Sequence, residues 1–135
     1  MKKGFVVKDS KKIKPVECPC GLSTRIITAR DTPLVNLHIT HITNSSKHYH
    51  LKCTEFYFIL EGKGQMELEE NDIISLTPGI VVMIRPGVPH RGYGDFKAII
   101  VGVPAMEEND EFFVSKIWLG LKHRLNYFLG GKPDE

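Results

Sequence analysis

Glycine and proline cut the middle of this chain into short pieces, and that punctuation limits the fold more than any other feature. Thr24 to Ala29 is β-branched and apolar. Val35 to Thr43 alternates with period two and breaks at Asn44-Ser45-Ser46-Lys47. Glu55-Phe56-Tyr57-Phe58-Ile59-Leu60 is aromatic and apolar, and Glu61-Gly62-Lys63-Gly64 is a tight turn after it. Gln65 to Glu69 alternates again. Asp72 to Leu76 stops at Thr77-Pro78-Gly79, Ile80 to Ile84 at Pro86-Gly87, and Phe96 to Val103 at Pro104. No helical pattern lies between these runs, and the intervals are too short for the crossovers that parallel strands need. The expected class is all-β, a sandwich or barrel of antiparallel strands.

At 135 residues the chain is one domain by length, long enough to bury a core without staples. A net charge of +2 gives no basis for nucleic acid or an anionic membrane surface as partner. No apolar window is long enough to span a bilayer. The basic residues after Met1 are not followed by a long apolar run, so no signal peptide is expected and the expected location is cytoplasmic. Three cysteines fit a reducing compartment better than a disulfide framework. Cys18-Pro19-Cys20-Gly21 lacks the second soft-ligand pair of a zinc site. A bridge between cysteines so close is expected to be strained. The pair therefore reads as a turn with two small buried thiols, and Cys53 as a small filler.

The C-terminal part changes character. Acidic Glu107 to Glu111 precede Phe113, Ile117, Leu121, Leu125 and Phe128, which recur at helical spacing. Asp110 reads as an N-cap and Gly130-Gly131 as a stop. The expected organisation is an N-terminal arm over 1–22, a barrel over 23–104 and a C-terminal helical segment over 105–135.

The chemistry concentrates in His48-Tyr49-His50-Leu51-Lys52-Cys53-Thr54-Glu55. Histidines two apart on a strand face one side, with Cα atoms roughly 6.5 Å apart. Metal–nitrogen bonds of about 2.1 Å let both imidazoles reach one ion. Glu55 lies at an odd offset from His50, so it joins them only if the chain bends over Leu51 to Thr54. With Glu55 facing in, Tyr57 and Ile59 follow it and Phe56, Phe58 and Leu60 face out. That outer face is too apolar for water and calls for a cover, most simply a second subunit. A further candidate ligand is His90, in Arg85-Pro86-Gly87-Val88-Pro89-His90.

His-x-His, four residues, Glu, six residues, Gly is a specific combination, and it is carried by His48, His50, Glu55 and Gly62. With Gly79, Gly87 and His90 downstream, the sequence resembles the cupin superfamily, specifically the small single-domain cupins of the cupin_2 type. Ile42, Arg85 and Gly94 depart from that family's pattern at turn positions, not at ligands. The resemblance covers about residues 23 to 104. It implies a cupin jelly-roll β-barrel, here with a C-terminal amphipathic helix. It also implies one divalent transition metal on His48, His50, Glu55 and His90, with Mn or Fe favoured over Zn, Ni or Cu.

The function that follows is a metal-dependent enzyme of oxygenase, decarboxylase or isomerase type on a small oxygenated substrate. The alternatives are a non-catalytic metal-dependent sugar or small-acid binding module, and a purely structural metal protein. Tyr57 is a candidate acid inside the barrel. Arg91, with Arg85, is a candidate anion clamp at its mouth. His38 or His41 can face the barrel as a donor behind the ligands, although a packed or surface position is the simpler expectation. The expected assembly is a homodimer.

Overall fold

The computed structural model describes residues 3–114. Among these, nine strands form one strongly curled antiparallel sheet: β1 Val16–Cys18, β2 Gly21–Ile27, β3 Asn36–Asn44, β4 His48–Tyr49, β5 Thr54–Leu68, β6 Asp72–Leu76, β7 Val81–Ile84, β8 His90–Val103 and β9 Phe112–Phe113. The all-β class agrees with the punctuation of the sequence. No helix among the described residues is long and apolar enough to cross a membrane.

β8 is the spine of the sheet. It pairs with β3, β4 and nearly the whole of β5. Such long partners stay in register only if they bend together, and they do so at a bulge between Ile59 and Glu61. Gly62 follows the bulge with φ +81, where a Cβ would collide with the Asp95 carbonyl across the pair. That position therefore accepts only glycine without strain. Gly64 makes room for a ring: a Cβ there would lie 2.7 Å from the Phe96 side chain. Phe96 fills this space beside Ile42, Ile59, Met66 and Leu76, all essentially excluded from water.

Inside and outside are reversed relative to an ordinary sheet on part of the wall. On β3 the buried positions include Asn36 and Thr40, with His38 in the same alternate set, while Leu37 and Ile39 face the other way. On β5, Glu55, Tyr57 and Ile59 are buried, and Phe58 and Leu60 are exposed. The inward register inferred from Glu55 is the one observed.

Two expectations are corrected here. Cys18 and Cys20 are not a pair of buried thiols but a disulfide, half-buried, at the β1–β2 turn. The hairpin places Cys18 opposite Gly21 and brings the two Cα atoms to 5.3 Å, inside the normal range for a bridge. The helix expected to start after Asp110 is not begun there. Asp110 closes a single 3₁₀ turn, Glu108–Asp110, and Phe112–Phe113 pair with β4 as β9. Tyr49 stacks on Phe112, so these aromatics are already used by the sheet. The remainder of that expected helix lies outside the described residues.

Candidate metal centre

The ligands converge because of strand register. His48 and His90 are direct cross-strand partners on β4 and β8, with ring centroids 4.4 Å apart. His50 follows two residues after His48 on the same side. Its carbonyl accepts the Gly87 N–H at 2.6 Å, which ties the loop before His90 to the His-x-His stretch. Glu55 enters from β5 after the bend.

That bend is built around one side chain. The buried Asp110 carboxylate accepts the N–H groups of Leu51 at 2.9 Å, Lys52 at 3.1 Å and Cys53 at 3.2 Å. Three successive amides converging on one anion cannot remain an extended strand. The chain turns, and the odd offset between His50 and Glu55 is absorbed. Asp110 also acts on a ligand, since its carbonyl accepts from His50 Nδ1 at 2.6 Å.

The other two histidines are held in the same way. His48 Nδ1 donates to the Ser46 carbonyl at 2.8 Å and His90 Nδ1 to the Val88 carbonyl at 2.9 Å. A carbonyl only accepts, so in all three rings Nδ1 carries a proton and Nε2 is left to face the centre. Nε2 of His50 and of His90 each lie 2.9 Å from Glu55 Oε1. These contacts are not aligned as hydrogen bonds, and all three atoms are buried without a hydrogen-bond partner.

The electrostatics describe a carboxylate that calls for positive charge. Burial alone would raise the Glu55 pKa, but the two adjoining histidines hold it well below the usual range. Burial likewise opposes charge on His50, yet the Glu55 carboxylate raises it to about 8. His48 goes the other way, to about 4, through burial and the neighbouring His90. Four ligand atoms, three imidazole nitrogens and a carboxylate oxygen, lie within 4.8 Å of one another. This buried donor set, three of whose atoms have no hydrogen-bond partner, fits a divalent transition metal.

A cavity of about 790 Å³ leads to the cluster and is lined by His48, His50 and Glu55. Tyr57 lines it too, fully buried, with its ring edge-on to His90 at 6.1 Å between centroids. Burial, then the Glu55 charge, pushes the Tyr57 hydroxyl well above its usual pKa, so it stays protonated. Arg91 is placed elsewhere. Successive strand side chains face opposite sides, so the strand that turns His90 inward turns Arg91 outward. Its guanidinium meets Asn44, Glu67 and the Tyr93 ring, and neither it nor the exposed Arg85 lines the cavity.

One wall residue, Arg25, was not singled out by the sequence, and a second, His38, was one of two alternatives. Arg25 on β2 and His38 on β3 are register partners, and both line the cavity. His38 is the histidine that faces in, whereas His41 pairs with Asp95. The period-two pattern allowed either. Burial, then Arg25, lowers the His38 pKa from near 6.5 to about 4. The unfolded chain therefore takes up a proton first as the pH falls. The stability contributed by neutral His38 is complete above about 6.5 and is lost toward about 4. Metal-free His38→Gln is expected to lose less stability over that interval than the unsubstituted protein, measured by urea unfolding at a series of pH values. Parallel curves would contradict this account of His38.

Comparison with known proteins agrees with the geometry. The family model described as Cupin domain matches residues 38–101. A protein of known structure from Planctomyces limnophilus is similar at 29% identity and a TM-score of 0.75, over 81% of this chain and 96% of that one. Ectoine synthase from P. lautus shares the fold at 17% identity and a TM-score of 0.68, over 82% and 91% of the two chains. The nucleoside dehydratase Pac13 does so at 12% identity and a TM-score of 0.70, over 82% and 91%. No curated protein matches the sequence.

Proposed function

Because residues 38–101 of this chain form a cupin domain, we propose that it is a metal-dependent enzyme acting on a small oxygenated molecule. One observation carries the reading: His50 Nε2, His90 Nε2 and Glu55 Oε1 are buried, unpartnered and adjoining, beside a cavity of a size suited to a small substrate. A divalent ion there would supply Lewis acidity toward a substrate oxygen.

The chain's own residues do the rest. Tyr57 presents a protonated hydroxyl to the cavity and can donate to a developing oxygen charge. His38 stays neutral at physiological pH and can accept a proton or donate a hydrogen bond. Arg25 sets a positive charge on the same wall and suits a carboxylate or phosphate on the substrate. The enzymes among the structural neighbours add support at the level of fold alone. The test is a turnover screen of the metal-loaded protein with sugar phosphates, keto acids, hydroxy acids and nucleosides. Turnover of one class, reduced on the order of 10²-fold in Tyr57→Phe, is expected. Saturable binding with no turnover across the panel would instead make the chain a binding module.

The proposal includes a homodimer. On the outer face, β5 side chains Phe56 and Phe58 stand beside Met83 and Val81 of β7 and Val101 and Ile99 of β8. Phe58, Val81 and Met83 are 42%, 59% and 45% exposed, a contiguous apolar area that favours a partner over water. Phe58→Asp is expected to shift the sedimentation profile from dimer to monomer with the metal content unchanged. A monomeric unsubstituted protein would contradict the dimer.

A further inference from the structure

The Cys18–Cys20 disulfide lines the same cavity as His48, His50 and Glu55. It contributes little to the fold. It spans a single intervening residue, Pro19, and the stabilisation a cross-link gives shrinks with the loop it closes. The turn is already fixed by β1–β2 pairing of Val16 with Ser23, Glu17 with Leu22 and Cys18 with Gly21. Both residues are half-buried, and the cavity gives a small molecule access to them.

The turn is also wired to a ligand. The Pro19 carbonyl accepts the Ser46 N–H at 3.0 Å. The Ser46 carbonyl in turn accepts from His48 Nδ1 at 2.8 Å. The peptide between the two sulfurs therefore positions the residue that orients His48.

We propose that Cys18 and Cys20 form a reversible dithiol–disulfide centre that small thiols entering the cavity reduce, and that its state is transmitted to His48 through Pro19 and Ser46. A thiolate attacks one sulfur, forms a mixed disulfide and releases the other cysteine as a thiolate. A second thiolate attacks the thiol-derived sulfur of the mixed disulfide. Two small thiols are oxidised to their disulfide, the two electrons reduce the cysteine pair, and each cysteine sulfur takes up a proton. The transmission to His48 rests on the metal-centre reading, whereas the exchange chemistry does not.

The exchange is tested on the native full chain with millimolar reduced glutathione, then iodoacetamide and mass spectrometry. Cys18 and Cys20 are expected to be labelled and to be protected again by oxidised glutathione. Buried Cys53, whose thiol burial pushes up to about 12, is the internal control and stays unlabelled. Labelling of the pair only after denaturation, or labelling that oxidised glutathione cannot prevent, would overturn the exchange centre. Transmission is tested by metal affinity in chelator competition. The oxidised protein is compared with Cys18→Ser/Cys20→Ser, which has no thiol at the turn to bind metal itself. A difference of about tenfold, at the low end for loss of an outer partner, is expected. Equal affinities would overturn the transmission. An oxidised protein that binds no metal would instead refute the metal centre and leave the labelling result standing.

Discussion

His50→Ala empties the metal centre. Expressed and purified with the same defined metal, the variant carries less than about a tenth of a metal ion per chain, and its affinity falls by at least about 100-fold, more than the loss of an outer partner costs. The substitution removes one of four converging donors and leaves the Asp110 carbonyl without the ring proton it accepts. It does not touch the Asp110 carboxylate or the three amides that make the bend, so the fold is retained and circular dichroism is unchanged. Glu55→Gln is the companion variant. It keeps the shape and removes the charge that holds His50 protonated in the metal-free protein. It is also expected to lose the metal. Unchanged metal content in folded His50→Ala would mean that the ion sits elsewhere.

Asp110→Ala breaks the bend itself. Hydrogen bonds to a charged acceptor contribute about 1.5–3 kcal/mol each, and part-buried amides left unpaired add their own cost. Losing the acceptor for Leu51, Lys52 and Cys53 is expected to destabilise the metal-free protein by about 3 kcal/mol or more. Urea unfolding measures this. Asp110→Asn keeps one accepting oxygen and is expected to fall between the two. Metal affinity should drop about tenfold in Asp110→Ala, because the carboxylate no longer anchors the bend that carries Glu55 to the histidines and holds the Asp110 carbonyl against His50 Nδ1. An alanine variant as stable as the unsubstituted protein would refute the role given to this carboxylate.

What could be read in the sequence was local. His48 and His50 share a face by strand periodicity alone. The odd offset of Glu55 required a bend, and the register after it turned Phe58 and Leu60 outward, as observed. What makes the bend was not legible. Asp110 lies about sixty residues from His50, in an acidic run that reads equally well as a helix start. Only the paired β4 and β9 bring it to the amides. Arg91 and His38 show the same limit from two sides. Strand alternation from His90 already implied that Arg91 faces away, whereas nothing in the alternation of β3 distinguishes the wall of a polar cavity from a solvent face. Asn36, His38 and Thr40 look like an outer set, and the apolar Leu37 and Ile39 look like a core. A barrel with a polar interior inverts that reading. The cysteine pair was misjudged because sequence separation says little about Cα separation at a hairpin turn, and it is the latter that decides whether a bridge can form.

The most direct test of the metal centre is X-ray anomalous scattering from crystals of protein expressed with one defined metal, joined to elemental analysis of the same sample. The expected result is one ion per chain, with Nε2 of His48, His50 and His90 and a carboxylate oxygen of Glu55 at about 2.0–2.2 Å. No anomalous peak within bonding distance of these four side chains, in protein that binds metal in solution or in protein that binds none, would contradict it.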